Sequence, residues 1–294
     1  MKRKIIELGH KCMVMSLPIK WVSENNLKKG LELDVVAEGQ KLVISPAERV
    51  KKPIEIELWI KDARESAART ILVNAYRAGY DRLAVHYSGN KKNLSEIVSK
   101  YLLGFELFSQ ADALYSIESV SEPSYENIYE IVNKMFFIIT EILNDLTSDD
   151  IEENVIRVQR YDNFIKRCVS KKIVFIKSQL FMWQFLSNLV QIARQSYHLK
   201  KSIKKGFVFD RTQKIAVNKI QEMFSNLRKG YVNKDLNSLM DIHKMEQDIV
   251  YDKRESLLKS KNPVVGYYLM SIARLIYLAN SPLTGVIDLE KTES

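Results

Sequence analysis

The chain has 294 residues and a formal net charge of +9, with an isoelectric point near 9.2; hydrophobic residues make up 46% of it and charged residues 28%. Two or three domains with a full hydrophobic core are therefore expected. The most apolar segments are too short and too charged at their flanks to cross a bilayer, which argues against membrane insertion. The positive charge permits an acidic partner such as nucleic acid, but an ordinary basic protein fits it equally well.

The cysteines and the first residues indicate where in the cell the protein is located. Cys12 and Cys168 are far apart and have no metal-binding or redox spacing, which favours a reducing environment. The opening MKRKIIELGHK is basic but has only a short apolar run, so it does not read as a signal peptide. A cytoplasmic location is expected.

Residues 1–50 favour short strands. The segments KCMVMSL and LELDVVAEGQKLVIS alternate apolar and polar residues and are rich in β-branched side chains. Pro18 ends the first of these segments, and IKWVSENNL follows as a short helical turn that stops near Gly30. The AEGQKL stretch predicts a hairpin turn around Gly39. We expect this segment to form a separate small domain.

Residues 51–121 change character and predict a small α/β unit. PIEIELWI and YDRLAVHYS are typical of strands, and FELFSQADALYSIESV of two more strands around QAD. The segment DARESAARTILVNAYRAG predicts an amphipathic helix that ends at Gly79, and NLSEIVSKYLLG predicts a second helix that ends at Gly104. The order β-α-β-α-β-β indicates some parallel pairing.

Residues 122–290 are predicted to be almost entirely helical. Apolar residues between Tyr125 and Leu146 recur at spacings of three and four, which marks an amphipathic helix. Similar stripes predict five further helices, at 151–178, 179–204, 211–229, 235–259 and 263–280. Short connectors between six helices indicate a bundle. The predicted fold class is therefore a multidomain α+β protein.

Charge is unevenly distributed along the helical part. Residues 121–156 carry nine acidic residues and one lysine, whereas residues 160–234 carry seventeen Lys or Arg and three acidic residues. We call 160–234 the basic belt. The two segments are either separate surfaces of opposite sign or faces that neutralise one another across the bundle.

The segment RKIIELGHKCMVMSLPIKWVSENNLKKGLELDVVAEGQKLVISP resembles the AbrB/MazE/SpoVT-type swapped-hairpin DNA-binding domain. The resemblance rests on a basic first strand, a turn at Gly9, the SLPIKW strand end, a one-turn helix, LKKG, and a final hairpin that ends in LVISP. In that family two chains interleave their hairpins to form one barrel. The resemblance therefore implies a homodimer that binds double-stranded DNA.

By the same resemblance, the predicted DNA contacts are the basic residues at matching positions: Arg3, Lys4, Lys11 and Lys20. Arg3 is the strongest candidate because its guanidinium fork can donate to two acceptors at once. The family's second arginine is missing, since His10 follows Gly9 and Ser23 or Glu24 stands at the later position. The alternative is that these basic side chains are solvated and the domain serves dimerisation alone.

The helical part looks like the PhoU-like domain that follows this kind of N-terminal domain in archaeal proteins, with two three-helix halves. That family holds metal ions with acidic clusters, because hard cations require several oxygen ligands. Here Asp248 and Asp252 remain at i and i+4, but Gln159 replaces an expected glutamate and only Asp162 is kept near it. We therefore expect no multinuclear metal site. The alternative role for the acids is ion pairing, with Lys244, Lys253 or Arg254.

These features favour a DNA-binding transcriptional regulator linked to phosphate uptake or phosphate signalling. The alternative is a PhoU-like interaction protein that docks on a phosphate transporter or a histidine kinase and uses the N-terminal barrel only to dimerise. The sequence has no P-loop, dinucleotide-binding glycine pattern, nucleophile elbow or Cys–His dyad, and its four histidines lack metal-binding spacing. No enzymatic activity and no cofactor are expected.

Overall fold

The computed structural model describes residues 3–9, 12–38, 41–46, 53–111, 113–121, 128–171 and 178–291. Its internal contacts divide the chain into two compact units, Met1–Pro53 and Ile54–Ser294. The sheet that follows residue 53 and the long helices belong to the same unit. The predicted turn at Gly39 lies outside the described residues, as do His10 and Lys11.

The first unit contains two antiparallel hairpins and one short helix. Its elements are β1 (Ile5–Glu7), β2 (Met13–Met15), α1 (Ile19–Glu24), β3 (Leu33–Glu38) and β4 (Lys41–Pro46). β1 pairs with β2 and β3 pairs with β4, as two separate two-stranded sheets. The predicted strands and helical turn are confirmed, but the described part of one chain forms no closed barrel.

The second unit begins with a four-stranded mixed sheet and two helices. Their order confirms the predicted β-α-β-α-β-β sequence of elements. The elements are β5 (Glu55–Ile60), α2 (Glu65–Ala78), β6 (Arg82–Tyr87), α3 (Lys91–Tyr101), β7 (Phe105–Ala111) and β8 (Leu114–Ser119). The strand order is β5-β6-β8-β7, with β5 and β6 parallel and the other pairs antiparallel. α2 ends where Gly79 adopts a φ of +97°, a left-handed conformation that favours glycine.

Helices, most of them long, dominate the remaining described residues of this unit. They are α4 (Ile128–Asn144), α5 (Ile151–Ser170), α6 (Gln179–Ser202), α7 (Arg211–Asn233), α8 (Asn237–Gln247), α9 (Arg254–Leu258) and α10 (Pro263–Lys291). Their buried apolar residues form one core, and a second core joins the sheet to α2 and α3. Helices α2 and α3 also pack against α5, so the two layers meet along that helix.

Three of the predicted helices differ from the observed ones. The helix predicted over 151–178 ends at Ser170. The helix predicted over 235–259 is divided, because a π-helical turn at Asp248–Asp252 separates α8 from α9. The last helix continues past the predicted end at residue 280, although it contains Pro282. Proline cannot donate to the carbonyl four residues earlier, which belongs to Leu278, and Asn188 Nδ2 donates to that oxygen at 3.0 Å instead. The helix therefore continues without an unsatisfied carbonyl at this point.

Candidate functional site

The basic residues predicted to bind DNA lie on the surface of the first unit. Arg3 and Lys4 are exposed directly before β1, and Lys20 is exposed on α1. The Lys20 side chain is 88% accessible, and its one ion pair with a described residue is a loose contact of 3.9 Å to Glu24. These three cations are exposed to solvent and can contact a ligand. Lys11 lies outside the described residues.

The same unit leaves its apolar side chains uncovered. In β1–β2, Ile5 pairs with Met15, and the two side chains are 69% and 44% exposed. In β3–β4, Val35 pairs with Ile44, and Val35 is 55% exposed. Over residues 3–46, no side chain that the structure describes is buried. Exposed apolar strands of this kind favour association.

Of the acids considered as metal ligands in the π-helical turn, Asp248 forms ion pairs instead. Asp248 lies 2.7 Å from both Lys219 and Lys253. Lys253 is one of the predicted pairing partners. Burial alone would raise the pKa of Asp248, but the hydrogen bonds and charges of the two lysines outweigh it and lower that pKa. Asp252 is exposed at the end of the π turn. No group of three or more His, Cys, Asp or Glu in the described residues could hold a metal ion.

A second acid, Glu246, is fully buried on α8. Its Oε1 accepts a 2.7 Å hydrogen bond from Arg274 Nη1 on α10, and this bond raises the pKa of Arg274. The nearby His243 stacks on Tyr277, with 4.9 Å between ring centroids. His243 and Glu246, three residues apart on α8, therefore contact two different side chains of α10.

The sequence did not predict the buried ion pairs between the sheet layer and α5. Asp162, on α5, is 1% exposed and lies 2.8 Å from Arg77 of α2 and 2.8 Å from Lys166. Burial lowers the pKa of Lys166, although the charge of Asp162 opposes that change and the charge of Arg77 adds to it. Asn163 completes the contact by accepting from Arg77 Nε and donating to the Tyr101 carbonyl.

A second buried contact lies one turn further along α5. Arg167, 1% exposed, donates to the carbonyl oxygens of Tyr76 and Tyr80 and contacts Asp81 at 2.5 Å. Lys171 reaches the same Asp81 oxygen at 2.6 Å. Burial would raise the pKa of Asp81, but the hydrogen bonds from Lys171 and the Ile54 amide, with the charges of Lys171 and Arg167, lower it below its ordinary value.

These contacts show where several cations of the basic belt lie. Three of its cations, Lys166, Arg167 and Lys171, point into the interior of the second unit rather than into solvent. Lys200 contacts Asp149 of the acidic segment at 2.8 Å. Part of the belt is thus neutralised inside this unit, in line with one of the two interpretations of its charge.

Comparison with protein-family models, with curated proteins and with solved structures found no match to this chain. The helices that the structure describes include none that is both long enough and apolar enough to span a membrane.

Proposed function

We propose that the protein is a homodimeric DNA-binding transcriptional regulator whose first unit supplies both the dimer contact and the DNA contact. The observation that carries the proposal is the first unit itself, two apolar hairpins with no buried side chain in their described residues. About 45 residues cannot close a core alone, and a second copy would supply the missing burial. The resemblance of this segment to swapped-hairpin domains supports the same arrangement.

The charge of the first unit supports DNA as the partner. Residues 1–53 contain eleven Lys or Arg and six Asp or Glu. Exposed Arg3, Lys4 and Lys20 can neutralise phosphates, and an isologous dimer would present two copies of each about a two-fold axis. That symmetry suits a pseudo-palindromic site. The link to phosphate uptake is proposed on the resemblance of the helical part to PhoU-like bundles.

DNA binding by the full-length chain tests the proposal. Arg3→Ala combined with Lys20→Ala should weaken binding to duplex DNA, because two phosphate contacts per chain are lost. The slope of log K against log salt should become shallower by about 0.9 for each phosphate contact removed. Fluorescence anisotropy at several salt concentrations measures both quantities.

A charge-matched control separates a local contact from a change in net charge. Arg254→Ala combined with Lys261→Ala removes two exposed cations from the second unit and should leave the salt slope unchanged. If the wild-type chain binds no duplex, or if both double variants bind as it does, the DNA proposal fails. The alternative function would then remain: an interaction protein whose first unit only dimerises and whose helical part docks on a transport or signalling protein.

A further inference from the structure

A polar cleft in the second unit lies between α2 and α3 of the sheet layer and α5 and α6 of the helical layer. It consists of two adjoining pockets of about 270 and 230 Å³, and both are lined by Arg69, Tyr101, Gln159 and Arg194. Arg77 lines the larger pocket as well. Three guanidinium groups from two layers therefore line one cleft.

Two of these arginines are held in place by neighbouring side chains. Arg69 lies 3.6 Å from the carboxylate of Glu65. It also donates to the Tyr101 hydroxyl at 3.2 Å and lies over the same ring, 5.5 Å from its centroid. Arg77 donates to Asn163 Oδ1 and to Asp162 Oδ2, both at 2.8 Å. A guanidinium has five N–H donors, so these bonds orient each group and leave further donors for a ligand.

Arg194 differs because its charge has no partner within the described residues. It is exposed on α6 and makes neither an ion pair nor a hydrogen bond with any of them. The same Ile-Ala-Arg triplet recurs on α10, where Arg274 contacts the buried carboxylate of Glu246 at 2.7 Å. Beside Arg194 the cleft offers the neutral amide of Gln159 instead. One arginine of this recurring triplet has a carboxylate and the other has an open cleft.

We propose that this cleft binds a small molecule that carries an oxyanion group, either phosphoryl or carboxylate. Guanidinium forks bind such groups through paired N–H donors, and the preset positions of Arg69 and Arg77 reduce the entropy lost on binding. The oxyanion takes the place beside Arg194 that Glu246 occupies beside Arg274. Thr70 and Asn74 add polar groups to the larger pocket.

The second pocket accommodates the rest of the ligand. Its walls include the rings of Tyr197 and His198 and the apolar side chains of Val155 and Ile156, with Glu152 as its acidic residue. A bare ion fills only part of the combined volume, so a ligand with an organic body is expected to bind more tightly. This inference goes beyond the proposed DNA-binding function and does not depend on it, because every residue involved lies in Ile54–Ser294.

Isothermal titration of the full-length chain without DNA tests the site, with inorganic phosphate, adenosine monophosphate and citrate as separate probes. At least one probe should bind with a dissociation constant below about 10 mM in low-salt buffer. Arg194→Ala should weaken that binding about tenfold or more, because a charge-assisted contact is lost. Gln159→Glu should weaken it similarly by giving Arg194 an internal carboxylate.

Arg157→Ala is the matched control, since Arg157 is exposed on α5, outside the cleft walls, and its side chain bonds only to Asn154 among the described residues. It should bind the probe like the wild type. Preference for phosphate and adenosine monophosphate would identify the oxyanion as phosphoryl, and preference for citrate would identify it as carboxylate. Absence of binding by all three probes, or binding that Arg194→Ala and Gln159→Glu leave unchanged, would overturn the proposal. Circular dichroism of each variant confirms that it is folded.

Discussion

Arg167 shows how a charged side chain becomes part of the interior of the second unit. It is 1% exposed, and its donors are taken by two carbonyl oxygens and by Asp81. Its guanidinium also lies over the rings of Tyr76 and Phe105, 5.1 and 4.8 Å from their centroids. Removing one partner of such a buried pair is costly, because the other charge stays buried.

Asp81→Asn should therefore lower the free energy of unfolding by about 3 kcal/mol at neutral pH. The pKa of Asp81 is lower in the folded than in the unfolded chain, so its stabilising effect is present above the ordinary pKa near 4 and is lost as pH falls below it. The difference between wild type and variant should shrink below about pH 4. Urea unfolding of both proteins at a series of pH values measures this difference in the free energy of unfolding.

The control for this prediction is Glu96→Gln, which removes an exposed contact of 3.0 Å to Lys100. Exposed pairs contribute little to stability, so this variant should unfold almost like the wild type at neutral pH. If Asp81→Asn proves equally harmless at neutral pH, or if its effect is the same at pH 3 and pH 7, the buried pair does not stabilise the fold as described.

Little in the sequence indicated that these residues are buried. Lysine and arginine are normally exposed, and the partners Arg167 and Asp81 are 86 residues apart in the chain. One local signal was available, because Lys166 and Arg167 stand between Ile165 and Cys168 in an otherwise apolar stretch. The sequence shows Gln159 and the Ile-Ala-Arg triplet of Arg194 but not the arginine cleft, since its residues come from four different helices.

At the scale of elements, the close approach of α9 and α10 depends on Gly266. A Cβ atom at this position would lie 2.4 Å from the carbonyl oxygen of Leu257, which is backbone and cannot rotate away. Gly266→Ala should therefore destabilise the protein by about 1–3 kcal/mol through overpacking. Thermal unfolding measures the change.

Ser281→Ala is the matched control for this contact, since Ser281 is exposed on the same helix. It should unfold like the wild type. A Gly266→Ala protein that is as stable as the wild type would mean that α9 can move away from α10 at no cost.

Element positions were largely predictable, because apolar periodicity alone determines which segments bury one face. The stripe from Tyr125 to Leu146 predicted α4, and the β-α-β order predicted the parallel pairing of β5 with β6. The π turn after Gln247 and the continuation of α10 through Pro282 were missed. The continuation around Pro282 depends on a distant partner, Asn188, which a local pattern cannot reveal.

At the scale of the whole molecule, the two units differ in how they bury apolar surface. The second unit has two large cores of its own. The described residues of the first unit contribute none, and its exposed apolar side chains lie on both hairpins. The second unit is therefore stabilised by its own packing, and we propose that the first is stabilised by association.

The central claim, that the first unit is half of a dimer, is tested most directly by the mass of the full-length chain in solution. Val35 and Leu42 are 55% and 58% exposed in the single chain, so glutamates there disturb few internal contacts. Multi-angle light scattering should give twice 34.1 kDa for the wild type and 34.1 kDa for Val35→Glu combined with Leu42→Glu. The control, Leu180→Glu combined with Met240→Glu in the second unit, should remain dimeric. A monomeric wild type, or a dimer that survives the glutamates in the first unit, would contradict the account.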